Sequence, residues 1–306
     1  MEFKRIFANK KVLITIITLL AISVVFYIYG IYETANYNGI NLSDTKVLKK
    51  EVLSTGVEDV YSEFEKFDVM ISLLQIDNIK SEDFSEYEEF HQNEEALLLN
   101  QYPEYAEEYK KHKNDKNFIT TRFSTYYYFV SQMEYVDSFY SNIEGIKEKA
   151  NQLKTISIFS ENTSDKNIDK TVYDYEKIQN QNLTLGIDEP IMELVNFSFA
   201  RYVVVIFAFF VISSFFEERK KGLYPLVYGT NNGRMVLAIK RLGILFSTVI
   251  IFSIILNLIL IIVGCGIFGN IELDRSIQSI QMFENFTIPM NIGGFLIFYI
   301  LNSCVL

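Results

Sequence analysis

The stretch that decides the fold is VLITIITLLAISVVFYIYGIY, which runs from Val12 to Tyr32. Its 21 residues carry no charge, and as an α-helix they would be roughly 31 Å long, about the thickness of the hydrocarbon layer of a bilayer. A secretory signal peptide has a shorter apolar run of about 7 to 15 residues, followed by a small-residue cleavage site. This run is longer and ends in aromatic residues, so residues 12–32 are predicted to form an uncleaved transmembrane helix.

Three further apolar stretches lie near the C-terminal end of the sequence. They are predicted to form transmembrane helix 2 over residues 194–216, helix 3 over 242–271 and helix 4 over 286–306. Residues 33–193 contain no such stretch, and this length lies within the usual range for one domain. The sequence thus predicts one water-soluble domain inserted between the first and second of four transmembrane helices.

The distribution of charge predicts the orientation of these helices. Residues 1–11 contain four basic and one acidic side chains, and residues 217–241 contain six and two. Residues 31–197 contain 16 basic and 32 acidic side chains, a net charge of −16, and the short loop 272–285 contains one and three. Basic loops stay on the cytoplasmic side. We therefore expect a cytoplasmic N-terminus, an extracellular domain over 33–193, a cytoplasmic loop over 217–241 and an extracellular loop over 272–285.

The inserted domain has the apolar spacing of amphipathic helices. Two series repeat at intervals of three and four residues: Val57, Val60, Tyr61, Phe64, Phe67, Ile71 and Leu74, then Phe129, Met133, Val136, Tyr140, Ile143 and Ile146. Only residues 155–160 alternate as a short strand would. The predicted fold class is an all-α membrane protein with about four transmembrane helices and a mainly helical extracellular domain.

The sequence offers little catalytic chemistry. The two histidines, His91 and His112, are too far apart in sequence to form a helical metal-binding pair. Residues 264–269 match the pattern GxGxxG, but they close a transmembrane stretch instead of joining a strand to a helix, so close helix packing is the better interpretation. No phosphate-binding GxxxxGK[ST] loop occurs. We expect no catalytic residue, no metal and no cofactor, and the chain is not predicted to be an enzyme.

The basic loop contains the most informative segment, FEERKKGLYPLVYGTNNGR, from Phe216 to Arg234. An amphipathic element with apolar residues at Leu223 and Leu226 is predicted to lie at the inner membrane surface, followed by a turn at Asn231 and Asn232. Its apolar residues could fill a groove on a partner protein. The alternative is an ordinary cytoplasmic loop whose basic residues contact anionic lipid.

The order of elements resembles the permease subunit of a type-2 ABC exporter. That family typically has an N-terminal interfacial helix (here residues 1–11), an anchor helix, often a large external insertion and a second span. A glutamate, a glycine, an arginine and a lysine follow, and the matching residues here are Glu218 or Glu217, Gly222, Arg234 and Lys240. The resemblance implies that residues 217–234 form a coupling loop that rests on a separate ATPase subunit.

The resemblance also implies a bacterial plasma membrane, a second permease subunit and ATP hydrolysis by the partner. The family usually has six transmembrane helices, so the chain is expected to be the N-terminal part of a permease. The other hypothesis is a membrane-anchored extracellular binding protein, a sensor or an antimicrobial-peptide immunity protein. The acidic domain could attract a cationic ligand, or its charges could simply be solvated surface. No nucleic-acid partner is expected.

Overall fold

The computed structural model describes residues 10–55, 59–81, 88–153, 165–217 and 233–303. In chain order the helices are α1 (Lys10–Tyr37), α2 (Leu42–Thr55), α3 (Val60–Ser81), α4 (Glu88–Gln101), α5 (Pro103–His112), α6 (Lys116–Leu153), α7 (Asp165–Glu176), α8 (Glu189–Asn196), α9 (Phe199–Glu217), α10 (Gly233–Phe268) and α11 (Ile292–Asn302). Two 3-10 turns, Ile277–Ser279 and Gln281–Phe283, lie between α10 and α11.

The predicted all-α class is confirmed, since no strand occurs in the described ranges. The β-type pairing within them is a single bridge between Ser276 and Asn291. The strand expected at residues 155–160 lies outside the described residues, as do residues 1–9 of the expected interfacial helix.

The chain divides into two compact units. One comprises Met1–Ile31, Glu189–Gly266 and Gly294–Leu306 and is called the apolar unit below. The other comprises Tyr32–Asp188 together with Ile267–Gly293 and is called the helical domain. The stretch 267–293, called the linker below, includes the loop predicted over 272–285 and the flanking ends of predicted helices 3 and 4, and it belongs to the same compact unit as residues 32–188.

The core of the helical domain is built on its longest helix, α6. Helix α3 packs along it, with the ring of Phe67 stacked on that of Tyr126 at a centroid distance of 5.7 Å. Helices α2 and α7 also pack on α6. The apolar spacing of α3 and α6 predicts most of these buried positions, because one face of each helix must leave water. Tyr61 and Tyr140 are exceptions, being 47% and 42% exposed; a phenol tolerates such positions because its hydroxyl remains solvated or hydrogen-bonded.

Among the described residues, two helices are long and apolar enough to cross a membrane, α1 and residues Met235–Phe268 of α10, and both lie mainly in the apolar unit. A third crossing is obtained if α8 and α9, which are bent by 49° at a short break, form one span. Helix α11 is apolar but has only 11 residues, about 16 Å of helix and roughly half the hydrocarbon thickness. Two or three spans are therefore supported by length and composition, and a fourth remains a prediction.

Several helix boundaries differ from the sequence-based ones. The second apolar stretch begins earlier, at Glu189, and contains a break after Asn196. The third begins at Gly233, so the last part of the predicted 217–241 loop is helical and continuous with it. The fourth helix begins at Ile292, six residues later than expected, because the preceding residues belong to the linker.

A glycine sets the point at which the chain leaves α10. Gly269 follows the last residue of that helix and has a φ of +128°, a conformation that only glycine adopts readily. The chain can therefore turn immediately into the linker, where Ile277, Gln278 and Ile280 are completely buried.

Candidate functional site: a buried charge cluster

The helical domain contains a cluster of charged and polar side chains that is shielded from water. Its members, called the charge cluster below, are Lys49, Tyr128, Gln132, Asp188 and Arg275. Lys49 lies on α2, whereas Tyr128 and Gln132 are one turn apart on α6 and so share a face. Asp188 lies in the stretch after α7, and Arg275 lies in the linker. Four separate segments therefore converge on one site.

An ion pair forms the centre of the cluster. The Arg275 Nη2 atom donates to the Asp188 Oδ1 atom, and the two side chains are only 1% and 4% exposed. The other carboxylate oxygen, Oδ2, accepts a hydrogen bond of 2.7 Å from Gln132 Nε2. Within the described part of the chain, Arg275 Nε and Nη1 donate no hydrogen bond. The Asp188 carboxylate is thus the main group that offsets the cost of removing the Arg275 guanidinium from water.

The backbone around Gly186 completes the site. The Gly186 carbonyl accepts from the Tyr128 hydroxyl at 2.9 Å and from Gln132 Nε2 at 3.0 Å, and the Gly186 amide donates to Gln132 Oε1 at 3.1 Å. The Arg275 guanidinium lies directly against this residue, because a Cβ built at Gly186 would be 2.9 Å from Arg275 Cζ. Glycine is required here for close approach.

Lys49 adds a second buried cation. The residue is 2% exposed, and its ammonium lies 3.8 Å from the centroid of the Tyr128 ring. Burial lowers the pKa of Lys49 from 10.5 to about 7, and the charge of Asp188 partly opposes this shift. Burial also raises the pKa of Asp188 from 3.8 to about 6, against the opposing effects of Arg275 and Lys49. Two groups of the cluster therefore titrate near neutral pH.

The apolar unit has a smaller polar group of its own. Asn257 on α10 is 3% exposed, and its Nδ2 atom donates to the Ser253 carbonyl at 2.8 Å and to the Ser303 hydroxyl at 3.2 Å. The Ser253 contact lies within α10, whereas Ser303 directly follows α11, so the Ser303 contact joins α10 to the end of α11. Polar side chains in apolar spans often serve as such interhelical contacts.

Gly264 supports the interpretation of the GxGxxG match as a packing feature. A Cβ built there would be 3.0 Å from the Tyr27 hydroxyl and 3.3 Å from the Cβ of Pro190. At Gly243 and Gly266, by contrast, a Cβ would meet nothing within 4 Å. Close approach thus accounts for Gly264, but not for Gly243 or Gly266.

The predicted coupling residues are only partly described. Glu217 is the last residue of α9, Arg234 is the second residue of α10, and Lys240 is exposed on α10. The other predicted docking residues, Glu218, Gly222, Leu223 and Leu226, lie outside the described residues. The role of all seven remains a prediction.

The charge cluster was missed by the sequence analysis, although one signal was present. Lys49 lies one turn after Thr45 and one turn before Val52, both of which are buried, so a lysine occupies the buried face of α2. The described residues contain no group of three or more side chains arranged to hold a metal ion. The cluster brings together two buried basic side chains, Lys49 and Arg275, and one buried carboxylate, Asp188.

In comparisons with known proteins, no family model, no curated protein and no solved structure matches this chain.

Proposed function

We propose that the chain is a membrane-spanning permease subunit of an ATP-driven exporter, with ATP hydrolysis carried out by a separate ATPase subunit. In this proposal residues 217–241 face the cytoplasm and contact that ATPase. The proposal draws on the order of elements in the sequence, on the basic residues that flank the loop and on the two or three helices long enough to cross a bilayer.

The observation that carries the proposal is the length of α10. Its 36 residues make a helix of about 54 Å, well beyond the roughly 30 Å of the hydrocarbon layer. The last 27 residues, Leu242 to Phe268, carry no charge, whereas the first turns contain Arg234, Lys240 and Arg241. One continuous helix would therefore run from the basic loop into the membrane. A displacement of the loop by a partner would move the span directly.

The orientation can be tested by cysteine labelling in intact cells. Cys265 and Cys304 are first replaced by alanine, and single cysteines are then introduced at Ser141, which is exposed on α6, and at Asn232. We expect a membrane-impermeant maleimide to label the Ser141 variant from outside. The Asn232 variant should be labelled only after permeabilisation, and the reverse pattern would exclude the proposed topology.

Coupling can be tested by reversing charges in the loop. The chain is purified from native membranes together with its ATPase, and hydrolysis is compared for the wild type, Glu218→Lys and Arg234→Glu. Lys113→Glu, at an exposed position of the helical domain, is the matched control. We expect both loop variants to lose stimulated hydrolysis while the control retains it. Absence of an ATPase from the purified material, or equal hydrolysis in all variants, would contradict the proposal.

The excess of acidic residues favours a second candidate. With 32 acidic against 16 basic side chains in residues 31–197, the helical domain could steer a cationic peptide to its surface. The chain would then be a membrane-anchored binding, sensor or immunity protein without transport activity. Two results together would favour this candidate: stable insertion without any ATPase, and peptide binding that weakens as salt rises.

A further inference from the structure

Polar contacts attach the linker to residues 32–188 of the helical domain. Besides the Arg275 ion pair, the Tyr135 hydroxyl donates to the Gln278 carbonyl at 2.8 Å. The Thr184 amide donates to the Ser279 hydroxyl at 3.2 Å. Most of these contacts involve residues 275–279, and one more lies further along, where the Tyr175 hydroxyl donates to Asn285 Oδ1 at 2.9 Å.

The linker also has internal hydrogen bonds that keep its shape. Gln278 Nε2 donates to the carbonyls of Phe286 and Ile288 at 2.9 and 2.8 Å. The amide of Ile292 donates to the Arg275 carbonyl at 2.8 Å. The linker is therefore a folded segment closed on itself, and its attachment to residues 32–188 is a separate set of contacts.

We propose that the Asp188–Arg275 pair is a clamp that holds the linker as an openable strap, so that loss of the pair releases the linker while the helices of the domain stay folded. The proposal does not rest on transport activity, since all the residues involved belong to the helical domain.

Charge and burial explain why the Asp188–Arg275 contact decides whether the linker stays attached to residues 32–188. Arg275 is the only basic residue of the segment 272–285, and its side chain is 1% exposed. An arginine buried without its carboxylate is strongly unfavourable. Removing Asp188 would therefore favour the state in which Arg275 returns to water, and this return requires the linker to detach from residues 32–188.

The position of the clamp in the chain gives it a mechanical consequence. Asp188 directly precedes α8, the first half of the bent apolar pair, and the linker connects α10 to α11. The clamp thus ties together chain segments that lead into three apolar helices. Opening it would lengthen the tether between α10 and α11 by releasing the linker.

Hydrogen–deuterium exchange on the full-length chain in nanodiscs tests the proposal. The variant Asp188→Asn keeps the shape of the side chain and removes its charge, and Asp174→Asn removes one partner of the more exposed pair Asp174–Lys177. We expect Asp188→Asn to raise amide exchange in residues 272–285 on the order of 100-fold, the lower end expected for a broken buried pair. The Asp174→Asn control should stay within about twofold, as for other surface pairs.

A disulfide provides the matched rescue. Thr184→Cys and Ser279→Cys are introduced with Cys265 and Cys304 replaced by alanine, because the 3.2 Å contact makes the two positions neighbours. Oxidation should restore slow exchange of the linker in Asp188→Asn, and reduction should abolish the rescue.

Two results would overturn the clamp. One is linker exchange in Asp188→Asn that stays within about threefold of the wild type. The other is an equal rise in the amides of α3 and α6, which would show that the pair supports the whole domain instead of a separable strap. Faster exchange confined to the linker, reversed by the disulfide, would support it.

Discussion

Lys49→Met should stabilise the helical domain at neutral pH and remove part of its pH dependence. The lysine is buried, and its pKa falls from 10.5 in an exposed state to about 7 in the folded one. Between these values the unfolded chain binds a proton that the folded chain does not. The free energy of unfolding of the wild type must therefore rise as the pH increases from 7 to 10.5. Methionine has a similar shape and no charge, so the variant should lack this rise.

The magnitude follows from the two pKa values. The full shift, 10.5 to about 7, corresponds to about 5 kcal/mol at low pH, where both states are protonated. The cost of burying the lysine is then about 4 kcal/mol at pH 7 and about 2 kcal/mol at pH 9. The wild type should gain roughly 2 kcal/mol across this interval, or about 4 to 8 °C in melting temperature for a domain of this size. Asp188 contributes little, because its pKa of about 6 lies below the interval.

Thermal unfolding in nanodiscs, followed by the near-ultraviolet circular dichroism of tyrosine, measures this difference at pH 7 and pH 9. Lys113→Met is the control, because Lys113 is exposed, and it should keep the rise of the wild type. Lys49→Met should melt at nearly the same temperature at both pH values. A rise equal to that of the wild type would refute the reasoning, since it would show that another group causes the pH dependence.

Two further substitutions test packing. Gly186→Ala should destabilise the helical domain by about 1 to 3 kcal/mol, because the new Cβ overlaps the Arg275 guanidinium. Gly145→Ala on helix α6 is the control: its Cβ would meet nothing within 4 Å, so the change should be neutral or stabilising by up to about 1 kcal/mol. Urea unfolding measures the free energy of unfolding of both variants. Asn257→Leu removes the hydrogen bond to Ser303 and should destabilise the protein by about 0.6 to 1.7 kcal/mol. We expect a lower melting temperature in detergent, and an unchanged melting temperature would show that the hydrogen bond contributes nothing.

The sequence predicts the helices well because the determining features are local. An uncharged run such as Val12 to Tyr32 needs no tertiary context to be identified as a long apolar helix, and the structure contains α1 over that run. The spacing of Phe67 and Phe129 on their own helices likewise predicts their burial, which is nearly complete. Breaks are also local: α5 begins at Pro103, where proline is tolerated because the first turn needs no amide donor.

The charge cluster could not be predicted because its members come from four distant segments. Nothing near Lys49 in the sequence indicates that Asp188, 139 positions later, will lie close enough to change its pKa. The linker was treated as a connection for a related reason. Its serines and glutamines are typical of exposed loops, yet Ser279 and Gln278 are buried, since each finds hydrogen-bond partners within the domain. Side-chain composition alone does not distinguish solvation by water from solvation by protein.

The retention of charge at this site is better explained by specificity than by stability. A buried ion pair seldom stabilises a fold more than well-packed apolar residues of the same volume would, and Lys49 is unfavourable at neutral pH on its own account. We infer that the pair restricts the linker to one register. Arg275 can be buried only where a carboxylate meets it, and it lies against Gly186, where no Cβ interferes. An apolar side chain at position 275 could be buried with the linker in several registers. A charged side chain makes the registers without a facing carboxylate energetically costly. A linker between two apolar helices is thereby held in one position by a contact that one protonation or one substitution can alter.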